Sequence, residues 1–578
     1  MQDKEHLDRL RHSAAHLLAA AVLELYPDAK PAIGPPTENG FYYDFGGLRV
    51  SDKDLSAIEK KMRELVKNWQ SFERIDESTH RIKEIFKDNP YKLELIDELE
   101  RENKKITLYK SGEFVDLCRG GHVENPSKEL KHFKLLSVAG AYWRGDSKRD
   151  MLTRIYGAAF PASEELKTFL IQQEEAKKRD HRRLGRELDL FTFSDLVGAG
   201  LPIYTPKGAL VRRLINEYVE GVQSKRGYHQ VWTPQMAKGE LFKISGHYDK
   251  YANDMFRVYS NYSDEEFFLK PMNCPQHSVL YASQKRSYRD LPVRYTDFAM
   301  LYRDERPGEL LGLARTRAFS QDDSHIFCTE DQVDEEINNA LEMTKEIMGK
   351  FGFKYRYAIS TRDKNQPEKY LGDSKTWDKV EAWLERIMRR HKMEYVIEEG
   401  EAAFYAPKMD LIARDSLGRE WQLSTIQIDY VMPKRFGLKY TDKDGVEKTP
   451  VKIHRAILGS AERFMMIILE HYAGAFPFWL APIQVKILPI TDRNIAYSRE
   501  IVAQLKEKNV RVELVDKSET LSNKIRLAQK EKVPYMIIIG DKEEEENKIS
   551  VRTRDGDDIG GIGVNDFIDK FCYNTSGD

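Results

Sequence analysis

The sequence predicts several α+β domains in one chain, and three observations carry that expectation. At 578 residues, 41% of them apolar, the chain can build more than one core. From Leu190 to Pro482 short apolar runs mix with amphipathic helices, the texture of one large α+β domain. After Pro482 strands alternate with helices, which implies parallel crossovers and an α/β domain. These changes of texture divide the chain into residues 1–161, a charged helical connector 162–189, a domain 190–482 and a domain 483–578.

A net charge of -2 with 32% charged residues gives no global pull toward nucleic acid or membrane, so any polyanion must be met by local patches. Cys118, Cys274, Cys328 and Cys572 are too scattered for a disulfide framework, which fits a reducing compartment. The start, Met-Gln-Asp-Lys-Glu-His, has no apolar signal core, and no apolar run reaches the ~18 residues of a membrane span. A soluble, cytoplasmic chain without membrane contact is expected.

Residues 5–26 place Leu7, Leu10, Ala14, Leu17, Leu18 and Ala21 at helical spacing until Tyr26-Pro27 stops the run. On that helix His12 and His16 stand at i and i+4, neighbours on one face. Further on, Asp116-Leu-Cys118-Arg-Gly-Gly-His122 has the glycines for a tight turn that brings thiol and imidazole together. One Cys and three His could hold zinc, could activate water without metal, or could be helix histidines on a polar face. Residues 162–188 form one charge-rich helical run, expected as a connector with some phosphate contact. Leu210 to Val222 read as an amphipathic helix stopped at Gly227, and Val231 to Pro234 as a strand.

The stretch Phe298 to Phe327 reads as two antiparallel strands joined by a loop rich in Arg and Gly. Arg303 and Glu305 lie on the first arm. On the second, a period of two puts Arg315, Arg317, Phe319, Gln321, Asp323 and His325 in one row. That row has little apolar area to bury. It suits a charged ligand, or alternatively an exposed sheet face laced with ion pairs. Beyond Pro482 the expected elements are strands Val485–Pro489, Val510–Val515 and Tyr535–Ile539, helices near Asn494–Lys508 and Ser522–Gln529, and a hairpin-like pair around Lys548–Arg554 after the acidic run Glu543–Glu546.

Longer strings carry a resemblance over nearly the whole chain. Gly198 to Pro234, Arg303-Asp-Glu305 through Phe319, and Gly459-Ser460-Ala-Glu-Arg463 match the three motifs of class II aminoacyl-tRNA synthetases. Pro271-Met-Asn-Cys274-Pro, Ser320-Gln-Asp-Asp-Ser-His325 and His454-Arg-Ala-Ile-Leu-Gly459 resemble the bacterial-type threonyl-tRNA synthetases in particular. The resemblance implies an editing domain, a central antiparallel sheet flanked by helices, and a C-terminal anticodon-binding domain. It implies ligation of threonine to its tRNA through an adenylate, in a homodimer formed through motif 1. One Zn²⁺ per subunit is implied on Cys274, His325 and His454, and Mg²⁺ with ATP. An open zinc with three protein ligands can take an amino and a hydroxyl group, and so reject valine.

By the same resemblance Arg303 holds the α-phosphate and carboxylate and Arg463 the far phosphates. Phe319 stacks on adenine and Glu305 reads it, with Arg315 and Ser460 in the same pocket. Asp323 and Tyr405 meet the threonine hydroxyl and amine; Gln321, Lys408 and Gln422 line that pocket; His247 assists transfer to the ribose. Because one missing methyl is worth only ~1–3 kcal/mol, serine must be misactivated. His12, His16, Cys118 and His122, supported by Lys92 and Asp116, match the site that hydrolyses seryl-tRNA by metal-free water activation. Arg526, Glu543 and Arg552 match anticodon-contacting positions.

Several departures stand out. The chain starts almost at the editing helix, so the small ubiquitin-like domain that usually precedes it is expected to be absent. Ala299 and Ala318 replace glycines, Leu311 replaces a common histidine, and Ser518 sits near a usual asparagine. A prolyl- or seryl-type synthetase would share the three motifs without needing Cys274, His325 and His454. A non-catalytic tRNA-binding paralogue is disfavoured because Arg303, Arg463 and all three ligands are present.

Overall fold

The helix Gln2–Leu25 opens a computed structural model that describes residues 2–146 and 148–573. Met1, Ser147 and residues 574–578 of the expected first and last domains lie outside the described residues. Leu10, Ala14, Leu17, Leu18 and Ala21, the face expected from helical spacing, are buried. Each buried leucine contributes roughly 1.5–3 kcal/mol of transfer free energy. The alanines between them let the helix lie close to an antiparallel sheet ordered Lys30–Pro31, Gly40–Gly46, Met151–Phe160, His132–Tyr142. A second, smaller sheet (Glu73–Ile75, Leu108–Ser111, Phe114–Leu117) carries Asp116. The helix Pro90–Arg101 starts at Asn89, whose side chain accepts from Lys92 N, with Pro90 in the first turn where its missing N–H costs nothing.

Two compact units result, divided between Glu174 and Glu175. The expected single run 162–188 is in fact two helices, Ser163–Arg179 and His181–Glu187. The break is Asp180, whose carboxylate accepts from Arg182 N at 2.8 Å and starts the second helix. His181 behind it is buried and bonds Glu470 Oε1 through both its backbone N and its Nδ1.

In the second unit an eight-stranded sheet runs in the order His229–Gln230, Val293–Asp297, Asp323–Cys328, Val451–Ala456, Glu420–Asp429, Lys408–Arg414, Lys354–Thr361, Tyr395–Glu399. It is antiparallel except for the parallel pairs at its two edges. Alternation sorts its residues cleanly. Ile326, Ile453, Ile426, Ile428, Met409 and Leu411 join a large core with the helices Pro206–Ser224, Val333–Lys350, Ser374–Arg390 and Ala461–His471. Asp323, His325, His454, Gln427, Asp429, Lys408 and Asp410 take the other face.

Two sequence expectations fail here. Val231–Pro234 is not a strand; the strand is His229–Gln230, and Pro234 has no N–H to extend the ladder. The stretch 298–327 is not one hairpin. Met300–Tyr302 pairs only with Ala318–Ser320, while Asp323–Cys328 belongs to the large sheet. Asp322 makes the break, because its buried carboxylate accepts from Ile457 N and Leu458 N. Arg315 and Arg317 therefore do not continue the row of His325: Arg317 donates to Glu305 O and Arg315 pairs with Glu305 and Glu309.

The C-terminal sheet is ordered Val512–Leu514, Val485–Pro489, Tyr535–Ile539, Ile549–Thr553, Asp558–Ile562, with its first three strands parallel. Val485, Ile487, Ile537, Ile539 and Val551 give it a core of its own. Among the described residues no helix is long and apolar enough to cross a membrane.

Candidate functional site

His325 and His454 face each other on neighbouring antiparallel strands, with His325 Nε2 3.0 Å from His454 Nδ1. Cys274, at the start of the helix Cys274–Ala282, completes a set whose ligand atoms lie within 4.8 Å of one another. The donor set suits zinc: one sulfur, two imidazole nitrogens, and a carboxylate behind, since His454 Nε2 is 2.8 Å from Asp429 Oδ2. Burial pushes the Cys274 thiol up to about 12 and takes His454 down to about 4. The imidazoles are thus neutral, as metal ligation would require, and the thiol would need a cation to release its proton. Asp323 leans over the set, 3.7 Å from His325 Nε2, and accepts from Asn273 N. Tyr405 lies against His454, ring to ring at 5.0 Å, and donates to Gln427 Oε1 at 2.6 Å. His247 is fully buried, 3.0 Å from Met272 Sδ and 3.8 Å from Cys274 Sγ, and burial lowers its pKa to about 3.

Two residues along the same strands, Thr425 pairs Ala456 as Gln427 pairs His454. A step of two residues is ~7 Å. There a cavity of about 250 Å³ is lined by Arg303, Glu305, Arg315, Phe319, Gln321, Gln422, Ser460 and Arg463. Arg303 stacks on Phe319 with its guanidinium carbon 5.0 Å from the ring centre. Arg463 donates to Ala314 O at 3.1 Å, and neither arginine forms an ion pair among the described residues. Two guanidiniums without an ion-pair partner, Arg303 over the Phe319 ring and Arg463 in the same cavity wall, fit a planar base bearing phosphates. Ser460 caps the helix Ala461–His471 by accepting from Arg463 N, and Gln321 bridges to Ser460.

Gln422 reaches this face through an irregularity. Between Leu411 and Ile412 the pairing with Glu420–Asp429 slips by one residue, which turns Gln422 toward the ligand side and Leu423 into the core. Gln422 Nε2 then donates to Asp410 Oδ1 at 2.8 Å, while Lys408 Nζ is 3.0 Å from Asp410 Oδ2.

The first unit holds a separate site. His12 Nε2 and His16 Nε2 are 3.3 Å apart, and Cys118 Sγ is 3.5 Å from His12 Nε2 and 3.2 Å from His122 Nε2. The turn that makes this possible passes through Gly120 and Gly121, at φ 95° and 84°; a Cβ on Gly120 would meet Tyr109 Oη at 2.5 Å. Lys92 Nζ is 2.5 Å from Asp116 Oδ1, and Tyr43 OH donates to Asp116 Oδ2. His12, His16, Tyr43, Lys92, Asp116 and Cys118 line a cavity of about 760 Å³. Burial keeps the cluster neutral: it lowers His12 and His16, takes His122 down to about 2 and pushes Cys118 up to about 11.

The three anticodon candidates lie on two helices and one strand of the C-terminal domain. Arg526, on the helix Leu521–Lys530, donates to Asn523 Oδ1; Arg552 is on Ile549–Thr553; Glu543 accepts from Gly540 N and so caps the helix Asp541–Glu546. Sequence reasoning missed Tyr43, His277, Asp410 and Asp429. The period of two from Lys408 and from Gln427 points to both aspartates.

Residues 256–472 match the tRNA synthetase class II core domain (G, H, P, S and T), residues 484–572 the anticodon binding domain, and residues 106–156 the threonyl and alanyl tRNA synthetase second additional domain. With its antiparallel sheet and the paired arginines, the chain is of the class II aminoacyl-tRNA synthetase type. The threonine--tRNA ligase of Rubrobacter xylanophilus is 47% identical over 98% of this chain and 88% of its own length; that of Thermotoga neapolitana is 46% identical over the same shares. A crystal structure titled the RNA binding domain of threonyl-tRNA synthetase from Cryptosporidium parvum superposes with a TM-score of 0.65 at 37% identity, covering 68% of this chain and 98% of that one. The chain belongs to the threonine--tRNA ligase family.

Proposed function

We propose that the chain activates threonine with ATP, transfers it to threonine tRNA, and hydrolyses seryl-tRNA made in error, acting as a cytoplasmic homodimer. The observation that carries this is the placement of the Cys274–His325–His454 set two residues along the same strands from the arginine-lined cavity. An amino acid held at one and a nucleotide at the other would bring carboxylate and α-phosphorus together, the positioning an in-line attack needs.

Zn²⁺ bound at the three ligands would offer an open position to the amino and hydroxyl groups of threonine. Asp323 would accept from that hydroxyl, and Tyr405, Gln321, Lys408 and Gln422 would fix the amine and the pocket wall. Arg303 would clamp the carboxylate and α-phosphate and Arg463 the outgoing pyrophosphate, which carries Mg²⁺. Phe319 and Glu305, steadied by Arg315 and Ser460, would hold the adenine. His247, a neutral imidazole, would assist as the ribose hydroxyl takes over the acyl group. In the first unit a neutral His12 or His16 would take a proton from water as it attacks the seryl ester, with Lys92 and Asp116 anchoring the cavity and Cys118 and His122 facing the water. Arg526, Glu543 and Arg552 would face the anticodon.

ATP–pyrophosphate exchange tests this. Threonine should drive exchange, serine weakly, and valine below it by roughly 10⁴ because a site built on a hydroxyl leaves its polar groups unpaired otherwise. A zinc chelator should abolish the threonine rate. Exchange driven by proline, or by no amino acid, defeats the proposal.

A further inference from the structure

His277 lies one helical turn beyond Cys274, wholly buried, and touches the zinc-ligand set from behind. Its Nδ1 is 2.7 Å from His325 Nδ1, and its Nε2 faces Asp297 Oδ2 at 4.0 Å. Asp297 accepts from Thr233 Oγ1 at 2.7 Å, and Thr233 Oγ1 accepts from Lys270 Nζ at 2.7 Å; all three are buried. A histidine that merely filled space here would leave its Nε2 without a hydrogen-bond partner for no return, and an apolar side chain would serve better.

The far side of the set assigns the protons in this row. His454 gives its Nε2–H to Asp429, so its Nδ1 presents a lone pair 3.0 Å from His325 Nε2. Both facing nitrogens can serve one cation only if both are unprotonated, and His325 must then carry its hydrogen on Nδ1. The acceptor at that position is His277 Nδ1, which leaves the His277 hydrogen on Nε2, toward the Asp297 carboxylate.

We propose that His277 is a positioning residue: backed by Asp297, Thr233 and Lys270, it holds His325 in the Nδ1–H tautomer and orients the Cys274–His325–His454 set for Zn²⁺. The proposal rests on the zinc assignment above, and the test separates the two. Purified protein is stripped of metal. Zn²⁺ affinity is then measured by competition with a chromophoric chelator, and Co²⁺ is added to read the thiolate-to-metal absorption band. His277→Ala should lose about 10- to 100-fold in Zn²⁺ affinity and shift or broaden the Co²⁺ spectrum. His277→Asn, whose amide oxygen can take the place of Nδ1 as acceptor, should recover most of both. Asp297→Asn should move both in the same direction by less.

Melting of the metal-free variants shows whether packing alone was damaged; the expected change lies in the rise in Tm on adding Zn²⁺. Wild-type affinity and spectrum in His277→Ala, or an Asn variant as impaired as the Ala variant, overturns the proposal. If the wild-type protein shows no thiolate band with Co²⁺, the zinc assignment itself fails, and this inference with it.

Discussion

Glu94 shows what one side chain can hold together. Its carboxylate accepts from Arg149 Nη1 at 2.9 Å, from Trp143 Nε1 at 3.0 Å, and lies 3.2 Å from Arg144 Nε. The bond from Arg149, helped by Trp143 and Arg144, lowers its pKa to about 2. A carboxyl whose folded value lies below its unfolded one adds stability above the unfolded pKa of ~4.3 and loses it as pH falls through the folded value. Because the group is partly open to solvent, screening limits the contribution to ~1 kcal/mol. Glu94→Gln should therefore lower the free energy of unfolding from urea titration at pH 7 by that amount. The gap from wild type should close as the pH is taken from about 4.5 toward 2. A gap that persists at the acid end would mean that packing, and not charge, carries the effect.

The break at Asp322 governs how two elements meet. Its carboxylate accepts from Ile457 N at 2.8 Å and Leu458 N at 3.1 Å and lies 3.6 Å from Arg455 Nη1, with all these groups buried. This fixes the segment that leads to Gly459 and Ser460, beside the arginine-lined cavity. Asp322→Ala would leave two buried N–H groups unpaired and the Arg455 guanidinium without its carboxylate. Equilibrium unfolding should then show a loss of roughly 3 kcal/mol, and KM for ATP should rise more than KM for threonine. The same break limits what was legible beforehand. Strict alternation from Phe319 to His325 named residues that the structure places around the cavity and the cysteine–histidine set, yet as one strand instead of two, because a single aspartate's backbone bonds leave no mark on periodicity. Gln422 needed the slip in its strand. Its trace is the switch of apolar parity from Trp421 and Leu423 to Ile426 and Ile428. The His12–His16–Cys118–His122 cluster was visible locally as two short motifs. The ligand set Cys274, His325 and His454 was legible only through family resemblance, since pairing between distant strands brings its members together. His277 carried no signal beyond standing one turn from Cys274.

Across the whole molecule the two sites divide one problem of recognition. On the proposed reading, the face in the second unit would distinguish threonine by its hydroxyl, which valine lacks and serine keeps. The missing methyl of serine is worth only ~1–3 kcal/mol, so this face cannot by itself exceed roughly 10- to 200-fold against serine. The first unit would supply a second sieve with different chemistry, a neutral imidazole pair and a buried Lys92–Asp116 pair. Because each unit has its own core, the two functions should fail independently. A chelator that stops threonine-dependent exchange should leave hydrolysis of pre-formed seryl-tRNA within about twofold of its untreated rate, since the proposed base at His12 or His16 needs no metal. His12→Ala should do the reverse: exchange with threonine persists, while seryl-tRNA, once formed, decays about 10²-fold more slowly, as expected for loss of a general base. Measured together on one preparation, the two treatments form a double dissociation. If the chelator also stopped deacylation, the four-ligand cluster of the first unit would hold a metal, and water there would be activated by the cation instead of by an imidazole.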